Sequence, residues 1–145
     1  PALRATTGGR TPAPPPLARA AMIDPLRAEL FAVELRTPRF EAMLAWYRDV
    51  LGLKSLLRVV DDGYALLGAG GARIALVSRS EPGPPSDRVS LAFEVADLAE
   101  ARRRLAASGA EIGTKPQSHE GFHELVTRDP DGNRLRLFAW GDAEA

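Results

Sequence analysis

The chain has 145 residues, 45% hydrophobic and 26% charged, which suits one folded domain or two small repeated modules sharing a core. Its 19 basic and 19 acidic residues balance, so no net field draws it toward nucleic acid or anionic lipid. There is no cysteine, which excludes disulfide frameworks, thiolate nucleophiles and thiolate metal sites.

The chain opens with PALRATTGGRTPAPPPLARAA, rich in Pro, Gly and Ala, and no apolar run in it is long enough for a signal-peptide core or a membrane span. Composition predicts a disordered or loosely docked leader over residues 1–26, with Met22 as a candidate natural start. Basic residues without acidic ones leave a transit peptide as the alternative, although amphipathic helical character is poor. The expected location is the cytoplasm, with no membrane and no nucleic acid as partner.

A single domain is expected over 27–143. Residues 29–36, ELFAVELR, alternate as a half-buried strand, with Leu30, Ala32, Glu34 and Arg36 on one face. Pro38 stops it. Phe40, Met43, Leu44, Tyr47 and Leu51 then fall at helical spacing, and Gly52 ends the helix. Strands follow at 54–60, 64–68 and 72–78, joined by turns at Asp61–Gly63 and 68–71. This is a β-α-β-β-β module over 29–79.

The linker 80–87 contains EPGPPSD. A second module over 88–140 repeats the order: a strand at 88–95, a helix capped by Asp97 and closed by Gly109, a short strand AEIGT, a loop KPQSHEGF, the strand HELVTR, the turn DPDGN and the strand RLRLFAW. The halves also match residue by residue. GARIALVS from Gly71 lies over GNRLRLFA from Gly132, so Arg73 matches Arg134 and Ala75 matches Arg136; at the module starts Ala32 matches Ser90. Each module has one helix, which covers one face of its sheet. The other faces are left to curve around a cleft. The fold class is therefore α+β, two tandem β-α-β-β-β modules forming a cleft-shaped curved sheet.

Three motifs, WYRDVLGL at 46–53, AFEVADL at 92–98 and RDPDGNRLRLF at 128–138, resemble the vicinal oxygen chelate superfamily, which includes glyoxalase I, bleomycin-resistance proteins and extradiol dioxygenases. With the paired module order the resemblance spans residues 29–140. It implies a homodimer with a cleft for a small organic molecule. In metal-dependent members a divalent ion is held by His, Gln or Glu from the first and last strands of the two modules. Those positions here are Ala32, Ala75, Ser90 and Arg136. Two methyl groups, a hydroxyl and a permanent cation do not make a metal site, so no metal and no other cofactor is expected.

Period-two alternation predicts a cleft face of Ala32, Glu34, Arg36, Arg73, Ala75, Ser90, Ala92, Glu94, Arg134, Arg136, Phe138 and Trp140. Glu34, Arg36, Ser90, Glu94, Arg136 and Phe138 are the ligand-binding candidates. Arg136 suits a carboxylate or phosphate, and equally suits an internal ion pair with Glu34 or Glu94. Phe138 and Trp140 suit a flat ligand or a dimer partner. Glu34, Glu94 and His123 are the candidate general acids or bases, the glutamates through burial and His123 from the cleft rim. His119 and His123 share a four-residue spacing, but Gly121 argues against a zinc-binding helix.

The expected function is thus a metal-independent small-molecule-binding protein with a cleft for an anionic or zwitterionic ligand. The alternatives are a metal-independent lyase or isomerase using a cleft Glu or His, a conventional metal-dependent glyoxalase or dioxygenase with atypical ligands, and a scaffold paralogue. Whether it is an enzyme stays open at this stage.

Overall fold

A computed structural model describes residues 25–113, 117–119 and 121–141, with 117–119 described by backbone alone. Apart from Pro25 and Leu26, the expected leader lies outside the described residues, as do residue 114 of the expected strand AEIGT and residues 115, 116 and 120 of the expected loop. The chain divides into Pro1–Leu30 and one compact unit, Phe31–Ala145, and the fold is that of the second.

The elements in order are β1 (Val33–Thr37), α1 (Phe40–Ala45) continued by a π-helical turn (Trp46–Val50), β2 (Lys54–Val59), β3 (Tyr64–Ala69), β4 (Ala72–Ser78), β5 (Leu91–Glu94), α2 (Leu98–Ala107), β6 (Gln117–His119), β7 (Phe122–Arg128) and β8 (Arg134–Trp140). They form two four-stranded sheets with the same order, β1-β4-β3-β2 and β5-β8-β7-β6. In each, the first strand runs parallel to the last. The mixed α+β architecture with two tandem modules is the one the periodicity predicts.

The internal repeat reappears in the register. Val33 stands beside Ile74 in the first sheet, and Leu91 beside Leu135 in the second. The twinned arginines have matching roles. Arg73 Nε donates to the carbonyl of Phe31 at 2.8 Å, and Arg134 Nη1 donates to Ser90 Oγ at 2.7 Å. Each guanidinium pins the segment just ahead of its module's first strand.

Three boundaries differ from expectation. β1 begins at Val33 rather than 29, and β5 at Leu91 rather than 88, because strand length is set by the partner strand's reach as well as by alternation. Among its described residues AEIGT contributes a single bridge, Ile112 to Thr127, and the module's edge strand is instead β6, inside the predicted loop. Pairing with β7 requires only backbone donors and acceptors, so a polar edge strand leaves no apolar signature.

Core side chains of both modules merge into one cluster. Met43, Leu44 and Tyr47 of the first helical segment join Ile74 and Leu76, while Leu98 and Leu105 of α2 join Leu125, Leu135 and Leu137. The π-helical turn, marked by Leu51 N donating to Trp46 O at 3.2 Å, accommodates two consecutive buried aromatics, Trp46 and Tyr47, packed edge to face at 5.1 Å.

Tyr47 reaches out of this core to the second module. Its hydroxyl donates to Asp129 Oδ2 at 2.7 Å. Asp129 is itself 4% exposed and also accepts from Asp131 N, Asn133 N and Asn133 Nδ2 at 2.9–3.0 Å. Four donors offset the cost of burying this carboxylate. Gly132, at φ +92°, lets the five-residue turn close around it.

Tyr47→Phe should lower unfolding free energy by about 1.5–3 kcal/mol, the usual range for a hydrogen bond to a charged acceptor, as read by urea denaturation. Burial, then the Asp129 charge and its hydrogen bond, raise the Tyr47 phenol pKa. A raised folded-state value makes this contribution complete below the phenol's ordinary value of about 10 and progressively lost above it. Stability should therefore fall with a measurable slope above that pH, and Tyr47→Phe should flatten the slope.

Candidate ligand site

Helices cover one face of each sheet, and alternation leaves the other face open. On the first sheet, Glu34 of β1 stands beside Ala75 of β4, which is followed by Leu66 of β3 and Leu57 of β2. Ala75 is fully buried between its neighbours while Glu34 and Arg36 are exposed. A bulge between Ser55 and Leu57 breaks the register of β2. Leu56 lies over Gly68, where an added Cβ would stand 3.3 Å from Leu56 Cδ1. Leu56 and Leu57 are thereby both half exposed.

On the second sheet the open face carries Ala92 and Glu94 of β5, Arg134, Arg136, Phe138 and Trp140 of β8, and Glu124 and Val126 of β7. Arg136 Nη1 donates to Glu124 Oε1 at 2.8 Å. Its guanidinium lies 5.1 Å from the Phe138 ring centroid and 6.0 Å from that of Phe122. Phe122, Phe138 and Trp140 meet edge to face, with centroids 5.4–5.9 Å apart. The result is one cation held between a carboxylate and an aromatic triangle.

Several sequence expectations are corrected here. Arg136 pairs with neither Glu34 nor Glu94 but with Glu124, a partner that sequence reasoning missed. The signal was present: closing the DPDGN turn sets Arg128 opposite Arg134 and hence Glu124 opposite Phe138, one diagonal step from Arg136. Glu34 and Glu94 are exposed rather than buried, because each sits on a short strand at its sheet's edge. His123 pairs with Ala139 and alternates with Glu124, so it stands on the helix-covered side, away from the Arg136 face. The side chain of His119 lies outside the described residues.

The candidates also divide among separate places. Glu34 and Arg36 line a cavity of about 470 Å³ with Arg39, Asp131 and the Pro82–Ser86 linker. Glu94 lines a different, largely apolar one of about 660 Å³ with Phe93, Val33 and Ile74. Ser90 is held by Arg134. Phe138 and Arg136 touch each other on the open face.

The four positions that correspond to the family's metal ligands do not fit an ion. Ala32 and Ala75 present methyl groups, the Ser90 hydroxyl accepts from Arg134, and Arg136 brings a positive charge paired with Glu124. Among the described residues no three His, Cys, Asp or Glu gather in a metal-binding group. No helix among them is long and apolar enough to cross a membrane.

Comparison with known proteins identifies the family. The Glyoxalase/Bleomycin resistance protein/Dioxygenase superfamily matches residues 29–137, and the chain belongs to it. No curated protein matches. Solved structures that resemble it include a glyoxalase family protein from Bacillus anthracis (18% identity, 82% of this chain and 100% of that one, TM-score 0.67). A glyoxalase/bleomycin resistance protein/dioxygenase from Nocardioides shares 24% identity over 89% of this chain and 95% of its own, with TM-score 0.63. A lactoylglutathione lyase from Agrobacterium tumefaciens shares 20% over 79% and 96%, with TM-score 0.60. At these identities the likeness establishes the fold.

The Arg136–Glu124 pair is partly exposed, so a double-mutant cycle with Arg136→Met and Glu124→Gln should return a coupling of about 0.2–1 kcal/mol that shrinks in high salt.

Proposed function

We propose that this chain is a metal-independent binding protein for a small organic molecule, anionic or zwitterionic and flat enough to stack on aromatic rings. The observation that carries this reading is Arg136, a guanidinium at a metal-ligand position of the family, set against Phe138 and Phe122 and bonded through Nη1 to Glu124. One of its N–H groups is committed there, and the rest of the fork suits a planar carboxylate or phosphate. Phe138 and the exposed Trp140 supply stacking surface. The working form is a homodimer in this reading. Exposed Leu56, Leu57 and Trp140 on the open faces support it, because a second copy would cover them.

A second reading, proton transfer by Glu94, draws on its position beside Phe138 in the register. It requires a ligand to desolvate that carboxylate.

Elemental analysis of the purified protein should find no stoichiometric zinc, nickel, iron or manganese; a full equivalent of any of these would sink the metal-independent reading. A thermal-shift screen with aromatic carboxylates and phosphate esters should yield a stabilising compound, worth about 2.7 kcal/mol at 100 times its dissociation constant. Arg136→Ala should abolish that response and leave the fold intact. Turnover that disappears in Glu94→Gln would instead favour the enzyme.

A further inference from the structure

The cavity of about 660 Å³ lies against the free edge of β5. Residues 91–96 all line it. Successive residues of a strand send their side chains to opposite faces, so lining by every residue in turn means that β5 presents its edge there. The facing wall is made by Val33, Leu53 and Ile74, by Gly68 and Gly70 at the β3–β4 turn, and by Arg73. Apart from Arg73 and Glu94, the side chains around the cavity are apolar.

β5 pairs on one side only, with β8. Val95 N donates to Phe138 O at 2.8 Å, and successive residues of a paired strand direct their N–H and C=O groups to opposite edges. Those of Ala92 and Glu94 therefore point away from β8, into the cavity. Among the described residues no backbone group meets them. Such an edge is a template for a further strand. Arg73 is the second feature. Its Nε is bonded to the Phe31 carbonyl, and its guanidinium lies 4.5 Å from the Phe31 ring centroid. Its twin Arg134 gives Nη1 to Ser90. Among the described residues the Nη groups of Arg73 hold no hydrogen bond, and no carboxylate pairs with it. The Glu94 side chain is exposed, so its charge stays in water.

We propose that this cavity receives the free C-terminus of a short apolar peptide, which adds to β5 as a further strand. A peptide backbone brings donors and acceptors at strand spacing, and the edge groups of Ala92 and Glu94 meet them. Its apolar side chains lie against Val33, Leu53 and Ile74. Its terminal carboxylate goes to the Nη groups of Arg73, a charge-assisted contact. A hydrocarbon chain would cover the same walls but leave the edge groups of β5 without partners, which is costly. The site uses neither Arg136 nor Phe138, so the two readings fail independently.

The test is a calorimetric titration of the full chain with N-acetyl tetrapeptides in which Ala alternates with Val, Leu or Phe. Each is used as the free acid and as the C-terminal amide, with decanoate as the apolar acid that lacks a peptide backbone. At least one free acid should bind at millimolar concentration or below, and amidation should weaken it at least about tenfold. Arg73→Gln should bind the acid no better than wild type binds the amide, and Arg136→Ala should bind the acid as wild type does. At saturating peptide, hydrogen exchange of the Ala92 and Glu94 amides should slow at least about tenfold, while that of Val95, already bonded to β8, should change little. The proposal is overturned if no peptide binds, if amides bind equally, or if decanoate binds more tightly than every peptide. Unchanged exchange at Ala92 and Glu94 overturns it, as does protection present before peptide is added, which would mean that a second copy already covers the edge. Loss of binding in Arg136→Ala would move the ligand to the other face and overturn it too. Should Arg73→Gln fail to fold, the acid–amide comparison and the exchange of the wild-type chain decide.

Discussion

The hydroxyl of Tyr47 meets the carboxylate of Asp129 across 82 positions of sequence, and much else depends on that contact. Tyr47 belongs to the helical segment of the first module and Asp129 to the last turn of the second. A buried carboxylate demands donors, and Asp129 obtains one from the other module and three from its own turn. The turn is thereby closed in one shape. That shape sets where β8 begins, and so which of its side chains face the helices and which the open side. It also leaves both Asp131 carboxylate oxygens without a hydrogen-bond donor, with Arg39 Nε 3.7 Å from Oδ1.

The geometry of the open face follows from the hairpin. β7 and β8 are held in register from Arg128–Arg134 to Phe122–Trp140, so Glu124, Arg136, Phe138 and Phe122 converge through cross-strand and diagonal contacts. The family's architecture is retained. At its centre stands the Arg136 guanidinium. The neighbouring glutamate and rings keep that cation from standing alone in a half-buried setting.

Legibility varied with the kind of signal. The paired modules could be read because apolar alternation and helical spacing are set by burial, and two copies of one pattern reinforce each other. The match of Ala75 to Arg136 and of Arg73 to Arg134 held in the observed register. β6 was hidden because an edge strand of polar residues needs only its backbone. Glu124 was overlooked because its importance comes from a diagonal contact. His123 went to the helix-covered side because strand parity, counted through the hairpin, outranks nearness to a loop.

The order of residues by itself determined the module repeat, the helix-covered and open faces and the Asp129 turn motif. These follow from local periodicity and side-chain chemistry, which need no knowledge of what lies across the molecule. Only the tertiary structure decided that Arg136 pairs with Glu124, that Glu34 and Arg36 belong to a different cavity, and that Asp131 is buried without a donor. Each of these depends on distance between residues far apart in sequence or on which donors a turn has already used, and neither quantity is written in any short stretch of the chain.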